Sequence, residues 1–185
     1  MIAIIDSGGA NIASVQFALE RLGAESILTK DVKIIQSADK VLLPGVGAAP
    51  IAMQNLADYG LIDCIRGLTQ PVMGICLGMQ LLFAASPEGN TTLLGIFGAD
   101  CETFTPAQGR SIPHMGWNRL SKHQDHPLLA GVDEGAHVYF VHSYFAPVTP
   151  QTIAATNYGD DFTAIVAENN FMGCQFHPEK SGLVG

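Results

Sequence analysis

Charge is scarce in this 185-residue chain, and positive charge is scarcest. Charged residues make up 14% of the sequence, and 9 Lys and Arg stand against 17 Asp and Glu, so the formal net charge is −8. An acidic chain has no electrostatic attraction to a nucleic-acid backbone or an anionic membrane, so neither is expected as a partner. Because 48% of the residues are hydrophobic, disorder is excluded, and we expect a partner to cover part of the apolar surface.

Long hydrophobic runs and closely spaced cysteines are also missing. No run of 18 apolar residues occurs, and the apolar N-terminus has no basic flank, so neither a membrane span nor a signal peptide is predicted. No two cysteines lie within three residues of each other, and no histidine pair has the H-E-x-x-H arrangement, so we expect no metal and no cofactor. Free thiols in a reducing, cytoplasmic compartment are expected at Cys64, Cys76, Cys101 and Cys174.

Strand-like and helix-like segments alternate through the first half of the chain. Ile2–Ile5 is a short apolar run before a glycine turn, which is typical of a strand buried on both faces. Further strands are predicted at Glu25–Leu28, Val41–Leu43 and Pro71–Ile75. Helices are predicted from Ile12 to Leu22 and at Ala48–Ala57, Leu61–Thr69 and Leu77–Ala84. This alternation predicts a mostly parallel sheet with helices on both faces.

The second half is rich in strands and poor in helices. Strands separated by short turns are predicted at Val138–Val141, Thr152–Thr156, Thr163–Ala167 and Phe171–Phe176. Such a pattern indicates a mixed or antiparallel C-terminal part of the sheet. No linker, repeat or low-complexity segment interrupts the chain, so a single α/β domain over residues 1–185 is the simplest prediction.

Cys76 lies at the centre of Gly74-Ile75-Cys76-Leu77-Gly78, between a predicted buried strand and a predicted helix. Glycines two residues before and after a nucleophile are typical of the sharp elbow turn of α/β hydrolases. The turn exposes the side chain at the carboxyl edge of the sheet, where the helix N-terminus favours a thiolate. Alternatively, Cys76 is only a small buried residue at a tight turn, so the interpretation requires a base.

A base is available in Gln175-Phe176-His177-Pro178-Glu179, just beyond the last predicted strand. If that strand belongs to the same sheet, His177 emerges at the same edge as Cys76, and the pair supplies a nucleophile and a proton shuttle. Glu179 would then hold the imidazole in one tautomer. Taken alone, His-Pro-Glu is equally compatible with a surface turn.

Together these two motifs resemble those of the class I (triad) glutamine amidotransferases. Within that family, Pro113–Asn118 and Tyr139–Tyr144, with the turn Pro44–Gly47 and Lys180, resemble the glutaminase subunits of imidazole glycerol phosphate synthase. The likeness runs over nearly the whole chain. It implies a flavodoxin-like α/β fold formed by a single glutamine amidotransferase type-1 domain over residues 1–185.

The resemblance implies a catalytic role for each residue of the two motifs. Cys76 attacks the side-chain amide of glutamine. His177 takes the thiol proton and donates it to the leaving ammonia, while Glu179 orients His177. Hydrolysis of the resulting thioester then releases glutamate.

The resemblance also places the oxyanion hole, which needs preorganised hydrogen-bond donors. One donor is expected to be the N–H of Leu77, and the other the N–H of Val46 or Gly45. In that family the turn switches the site on, and its glycines permit a peptide flip. The alternative interpretation of this segment is an ordinary glycine turn that follows a strand and has no catalytic role.

Residues expected at the amino-acid end of glutamine come from the same mapping. A carboxylate at Glu88 suits the ammonium group, and Gln80 lies one helical turn after Cys76 and faces the same way. The mapping adds His142, Ser143 and Tyr144. The alternative for this last segment is a simple core strand.

The resemblance implies a heterodimer with the cyclase subunit of imidazole glycerol phosphate synthase, a (β/α)₈ barrel. The barrel receives ammonia through its interior and makes imidazole glycerol phosphate and aminoimidazole carboxamide ribotide in L-histidine biosynthesis. Its nucleotide substrate is expected to activate the glutaminase, an allosteric coupling. Asn11, Met115, Trp117 and Lys180 are expected at the interface, and the chain's single tryptophan suits an interface anchor.

Two features depart from the family pattern. After the first strand the family usually has an aromatic residue and another glycine, where this chain has Ser7 and Ala10, which alters the expected interface loop. The family also normally continues with a C-terminal helix that packs on the sheet, whereas this sequence stops at Gly185. We therefore expect that helix to be missing.

Other functions remain compatible with parts of the sequence. A different triad amidotransferase, of the purine, pyridoxal or anthranilate pathway, or a related thiol hydrolase would share the Cys76 and His177 motifs, although the Pro113–Asn118 segment argues against it. A catalytically silent binding module could use the same sheet, although the presence of all three triad residues argues against that.

Overall fold

The computed structural model describes residues 1–8 and 12–185. Ala10 and Asn11, both expected at the interface, therefore lie outside the described residues.

Strands form most of the regular structure. In the first half they are β1 Ile2–Ile5, β2 Ser26–Thr29, β3 Lys40–Gly45, β4 Val72–Cys76, β5 Ala85–Ser86 and β6 Thr91–Thr92. In the second half they are β7 Glu102–Thr103, β8 His114–Arg119, β9 Ser121–Lys122, β10 His137–His142, β11 Tyr144–Phe145, β12 Thr152–Asn157, β13 Asp161–Glu168 and β14 Phe171–Cys174.

Helices lie mainly between the strands of the first half. They are α1 Ile12–Arg21, α2 Val32–Ser37, α3 Ala49–Asp58, α4 Leu61–Arg66 and α5 Leu77–Gln80. Short 3₁₀ turns follow at Glu88–Asn90, Pro127–Leu129 and Pro178–Lys180. Along the described residues, no helix is both long enough and apolar enough to cross a membrane.

One eight-stranded sheet joins the two halves of the chain in the order β2-β1-β3-β4-β14-β13-β12-β9. Strands β1 to β4 pair in parallel, and β14 continues the parallel part by pairing with β4. On its other side β14 pairs antiparallel with β13, and β12 and β9 extend the antiparallel part. The prediction of a parallel sheet that becomes mixed towards the C-terminus is therefore confirmed. Val138–Val141, however, lies in β10, which pairs antiparallel with β8 in a separate two-stranded sheet.

The core lies on both faces of this sheet. On one face α2 to α5 cover a cluster that includes Leu43, Leu56 and Phe83, all fully buried. On the other face Phe140 and Phe162 belong to a second cluster, built largely by the antiparallel half. Because both faces are covered, the strands of the parallel half read in the sequence as apolar runs.

Three local predictions need correction. Helix α2 was not predicted; its N-cap is Asp31, whose carboxylate accepts hydrogen bonds from the N–H groups of Lys33 and Ile34. Helix α5 ends at Gln80 rather than Ala84, because the chain then turns through hydrogen bonds that span three residues. Leu22 lies beyond the end of α1 and is 80% exposed, so it does not belong to the packed face of that helix.

Candidate active site

Cys76 ends β4 and begins the turn into α5. Its backbone has φ 55° and ψ −114°, a left-handed conformation that non-glycine residues rarely adopt. Gly74 and Gly78 allow this turn because backbone atoms of neighbouring segments lie where a side chain would otherwise be. A Cβ atom on Gly78 would lie 1.7 Å from the carbonyl oxygen of Leu43, and one on Gly74 would lie 2.5 Å from that of Gly78. The geometry is that of a nucleophile elbow.

His177 reaches the same edge of the sheet from the neighbouring strand. Strand β14 pairs with β4 so that Cys174 lies opposite Ile75, and the chain beyond each strand end continues to the same rim. The backbone N–H of His177 donates to the carbonyl of Tyr139 at 2.9 Å. His177 Nδ1 and Glu179 Oε1 are 2.8 Å apart, and both side chains are almost fully buried. The imidazole is therefore oriented by a carboxylate.

The electrostatics of His177 favour the charged ring. Burial lowers its pKa, but hydrogen bonds with the Cys76 side chain and the Glu179 carboxylate outweigh burial and raise the pKa to about 9. Since Nδ1 is occupied by Glu179, the nitrogen available to the sulfur is Nε2, which has no other hydrogen-bond partner among the described residues. The raised pKa of His177 therefore keeps the ring protonated at neutral pH, with its Nε2 proton beside the Cys76 sulfur.

A pocket of about 340 Å³ opens over Cys76. That size is within the usual range for small-molecule sites. Most of the sequence-predicted site residues line it. The lining comprises Val46, Gly47, Cys76, Leu77, Gln80, Glu88, Pro113, Val141, His142, Ser143, Tyr144 and His177. The structure therefore brings together segments from five distant parts of the chain, while Glu179 lies behind His177.

Gln80 and Gln175 form a buried amide network beneath the sulfur. The Gln80 amide donates to the carbonyl of Tyr144 at 2.7 Å and to Gln175 Oε1 at 2.9 Å. Gln175 Nε2 in turn lies 3.8 Å from Cys76 Sγ. Because both amide hydrogens of Gln80 are used within the protein, this side chain holds the pocket wall and orients Gln175 towards the sulfur.

His142 is part of a second buried network. Its Nδ1 donates to the carbonyl of Tyr144 at 2.8 Å, so its Nε2 accepts from His114 Nδ1 at 3.1 Å. His114 Nε2 then accepts from the Asn118 amide at 3.3 Å. Burial lowers the pKa of His142 to about 3 and that of His114 to about 4, so both rings are neutral. A neutral ring beside the pocket fixes the carbonyl of Tyr144 without adding positive charge.

Glu88 supplies the carboxylate of the pocket lining. Its Oε2 accepts a hydrogen bond from the backbone N–H of Ala49 at 2.7 Å, at the N-terminus of α3. A carboxylate in this position is stabilised by the helix dipole. It can also attract a cationic group of a bound molecule.

The Pro44–Gly47 turn lies beside the elbow. Gly45 is the last residue of β3 and pairs with Cys76. A Cβ atom on Gly45 would lie 2.7 Å from the backbone nitrogen of Gly78. Val46 and Gly47 line the pocket together with Leu77, whose N–H begins α5. Residues of two elements, the turn after β3 and the start of α5, thus line the pocket beside Cys76.

The expected interface residues lie outside the pocket. Met115 and Trp117 belong to β8 and are 61% and 56% exposed. The Trp117 ring packs edge-on against Tyr139, with ring centroids 6.1 Å apart. Lys180 is exposed on the turn after His177. Met115 and Trp117 thus expose apolar side chains on the strand that pairs with β10, whose Tyr139 carbonyl accepts from the His177 N–H.

Two residues of the site, Gln175 and Ser181, belong to or follow the His177 motif, but the sequence analysis assigned no role to either. Gln175 is fully buried and contacts both Gln80 and Cys76. Ser181 donates to the His177 carbonyl at 2.7 Å and accepts from the Tyr139 N–H at 3.0 Å. Both lie within four residues of His177, and this proximity to the predicted base is the one feature of the sequence that could have indicated them.

Comparison with known proteins agrees with this geometry. The family model of the class-I glutamine amidotransferases matches residues 3–184. A curated relative from Pasteurella multocida (strain Pm70), named imidazole glycerol phosphate synthase subunit HisH, is 50% identical over 184 residues, covering 100% of this chain and 92% of that protein. A relative of the same name from Xanthomonas axonopodis pv. citri (strain 306) is 52% identical with the same coverage.

Solved structures share the fold. One described as a glutamine amidotransferase superimposes with a TM-score of 0.73 at 19% identity, covering 96% of this chain and 90% of that chain. A glutamine amidotransferase from Thermotoga maritima gives a TM-score of 0.67 at 17% identity, covering 96% of this chain and 75% of that chain. At such identities the likeness shows the fold alone.

Proposed function

The chain belongs to the class-I glutamine amidotransferase family, and from this premise we propose that it is the glutaminase subunit of an imidazole glycerol phosphate synthase. It hydrolyses glutamine to glutamate and ammonia. The observation that carries the proposal is the placement of Cys76 on an elbow turn, in one pocket with His177, whose ring is held by Glu179. The relatives that match over the full chain carry the name of this subunit.

The reaction begins at the sulfur. His177 takes the proton of the Cys76 thiol, the sulfur attacks the side-chain amide carbon of glutamine, and the carbonyl π electrons move to oxygen. The His177 imidazolium gives its Nε2 proton to the departing nitrogen, so ammonia leaves and a thioester remains. The raised pKa of His177 suits this step, because the ring carries its proton at neutral pH.

The thioester is then hydrolysed. Neutral His177 takes a proton from water, the hydroxide adds to the thioester carbon, and cleavage of the C–S bond releases glutamate. The sulfur leaves as a thiolate beside the recharged ring. Glu179 remains ionised and stabilises each imidazolium in the cycle.

The oxyanion of both tetrahedral intermediates requires hydrogen-bond donors. We assign these to the N–H of Leu77 and to the N–H of Val46 or Gly45. The support is that Leu77 and Val46 line the pocket and that Gly45 pairs with Cys76 in the sheet. In other acyl-transfer enzymes, loss of one such donor lowers the rate about 10²–10³-fold.

The amino-acid end of glutamine is assigned to the far wall of the pocket. Glu88 attracts the ammonium group, while His142, Ser143 and Tyr144 form the wall with support from Gln80. Glutamine in this orientation places its amide towards Cys76. We propose that residues 1–185 form one type-1 domain for this purpose.

A cyclase subunit receives the ammonia. Ammonia that escapes to water is protonated and loses its nucleophilicity, so delivery requires docking. We propose a heterodimer in the cytoplasm with the barrel-shaped cyclase, through the surface formed by Met115, Trp117 and Lys180 together with Asn11. The exposed Trp117 is the type of side chain that anchors interfaces.

The experiment is glutamate release from glutamine by the purified chain, alone and with the cyclase subunit and its nucleotide substrate. We expect release to rise when both are added. Cys76→Ala should abolish release but retain docking, because only a sulfur is removed. Equal release by Cys76→Ala, or release that never responds to the cyclase, would contradict the proposal.

A further inference from the structure

Ser7 contacts the turn that carries the proposed second oxyanion donor. The residue is 5% exposed, and its hydroxyl donates a hydrogen bond to the carbonyl of Pro44 at 3.2 Å. Ser7 follows β1 and Pro44 lies in β3, and these two strands are neighbours in the sheet. The contact therefore links the ends of adjacent strands at the rim that carries the pocket.

This contact orients one peptide group. The Pro44 carbonyl and the Gly45 N–H belong to the same planar trans peptide, so they point in opposite directions. Because Ser7 holds the carbonyl towards β1, the Gly45 N–H is directed towards β4, where Gly45 pairs with Cys76. The Ser7 hydroxyl thus sets the orientation of the peptide immediately before Gly45–Val46.

The turn is also held at its other end. The Glu88 carboxylate accepts from the N–H of Ala49 at 2.7 Å. Between these two hydrogen bonds lies the segment Gly45–Ala48, in which Gly47 has a positive φ of 100°. Rotation of peptides in the turn is therefore confined to this short segment.

Ser7 is itself held in place. The Asn55 amide of α3 donates to the Ser7 carbonyl at 2.8 Å. A Cβ atom on the following Gly8 would lie 2.5 Å from the same amide nitrogen, so the two segments are in contact. Since α3 begins directly after the turn, Ser7 and the turn belong to one connected unit.

We infer that Ser7 is a positioning residue of the glutaminase reaction, which acts through the Pro44 carbonyl to aim the N–H groups of the turn at the oxyanion. The inference rests on the proposed function, because that function assigns an oxyanion donor to this turn. A residue that orients oxyanion donors stabilises the transition state more than it stabilises bound glutamine. Its loss therefore lowers kcat and leaves KM nearly unchanged.

The test compares variants of Ser7 in the chain assembled with the cyclase subunit. Ser7→Ala removes the donor, Ser7→Cys replaces it with a weak donor, and Ser7→Thr keeps a hydroxyl. Thr156→Val is the matched control, because Thr156 is 2% exposed and its hydroxyl donates to the Arg119 carbonyl at 3.0 Å, outside the pocket.

We expect Ser7→Ala and Ser7→Cys to lower kcat for glutamine about five- to twentyfold, less than the loss of a whole oxyanion donor. KM should stay within about twofold, and Ser7→Thr and Thr156→Val should retain kcat within about twofold. Equal losses in Ser7→Ala and Ser7→Thr, or a loss confined to KM, would overturn the inference.

A second readout isolates the oxyanion. The Cys76 thiol adds to the aldehyde of L-glutamate γ-semialdehyde. A C–S bond forms, the π electrons move to oxygen as in the intermediate, and the thiol proton passes to His177. Ser7→Ala should weaken binding of the aldehyde by the same factor as kcat. Alkylation of Cys76 by iodoacetamide forms no oxyanion and should keep its rate.

The two proposals fail in different ways. If the wild-type chain releases no glutamate with its cyclase subunit, the proposed function is contradicted. If the wild type is active but Ser7→Ala and Ser7→Cys bind the aldehyde as tightly as it does, only the positioning role of Ser7 is wrong.

Discussion

At the scale of single residues, the chemistry depends on where the proton between Cys76 and Glu179 resides. His177 lies between a thiol and a carboxylate, and both raise its pKa against the effect of burial. The sulfur is also approached by the Gln175 amide. Two polar side chains, those of His177 and Gln175, thus approach the nucleophile directly, while Glu179 acts on it through His177.

The pH dependence of glutamine hydrolysis follows from His177. The ring is charged below its raised pKa of about 9, and the charged ring protonates the leaving nitrogen. We therefore expect kcat to fall as pH rises through about 9. Glu179→Gln removes the carboxylate, lowers the pKa of His177, and should move this fall to lower pH.

The same variant should lower the maximal kcat about 10²-fold, because the ring loses both orientation and charge stabilisation. The measurement is a pH–rate profile of glutamate release for both proteins. Glu168→Gln is a control at the half-buried end of β13, outside the pocket lining. An alkaline limit that does not move in Glu179→Gln would show that Glu179 does not act on His177.

The local sequence patterns predicted the catalytic residues at the centre of the site, but not the residues that hold them in place. A cysteine between two glycines and a histidine two residues before a glutamate are short local patterns that the sequence displays directly. The contacts of Gln175 and Ser181 depend on segments about 100 and 40 residues away, Cys76 and Tyr139. Such contacts become visible only when β14 has been placed beside β4.

At the scale of secondary-structure elements, the site depends on backbone contact between β3, β4 and the start of α5. Gly45, Gly74 and Gly78 each face backbone atoms of a neighbouring element at distances that leave no room for a Cβ atom. The close approach brings the Leu77 N–H and the Pro44–Gly47 turn to the same sulfur. Glycine at these positions is therefore required by packing as well as by the turn itself.

Gly78→Ala should disrupt the elbow. Its new Cβ atom would lie 1.7 Å from the Leu43 carbonyl oxygen, which is backbone and cannot move aside easily. We expect a loss of about 3 kcal/mol in the free energy of unfolding and loss of glutaminase activity. Urea unfolding and glutamate release provide the measurements.

Gly98→Ala is the matched control. In the part of the chain that the structure describes, no atom lies within 4 Å of a Cβ atom built on Gly98, and its φ is not positive. The free energy of unfolding should change by about 0.5 kcal/mol or less, with activity retained. If both variants behave alike, close packing at the elbow is not what requires Gly78.

Element prediction succeeded where hydrophobic pattern and turn residues coincide. Strands β1, β3 and β4 are apolar runs that stop at glycine or at the elbow, and the structure has them within a few residues of the predictions. Helix α2 is a six-residue helix between two strands, too short to show a clear period. The early end of α5 depends on the packing of the following turns, which no local pattern encodes.

At the scale of the whole molecule, β14 joins the parallel and the antiparallel parts of the eight-stranded sheet. It is parallel to β4 on one side and antiparallel to β13 on the other. The chain thereby returns from the antiparallel half to the centre of the parallel half, and His177 emerges next to Cys76. Strand order is a long-range property, so the sequence supported this meeting only as a hypothesis.

The surface next to this rim should bind the cyclase subunit. Trp117 is 56% exposed and lies outside the pocket lining, so Trp117→Ala should leave glutamine hydrolysis by the isolated chain unchanged. We expect its affinity for the cyclase to fall at least tenfold, as is usual for a buried aromatic anchor. Isothermal titration calorimetry measures this change.

Val148→Ala is the control for that surface. Val148 is 41% exposed and belongs to the loop before β12. Its substitution should leave the affinity within about twofold. Unchanged binding by Trp117→Ala would place the cyclase on another face of the protein.

The central claim is that Cys76 is the nucleophile that attacks glutamine. The most direct measurement is covalent labelling with a diazoketone analogue of glutamine, which forms an S–CH₂ bond and releases N₂, followed by mass spectrometry of the digested protein. We predict label on Cys76, protection by glutamine and slower labelling in His177→Ala. Burial raises the pKa of the thiols of Cys64, Cys101 and Cys174, which should stay unlabelled. Label spread over all four cysteines, or an unlabelled Cys76 in the complex with the cyclase, would contradict the account.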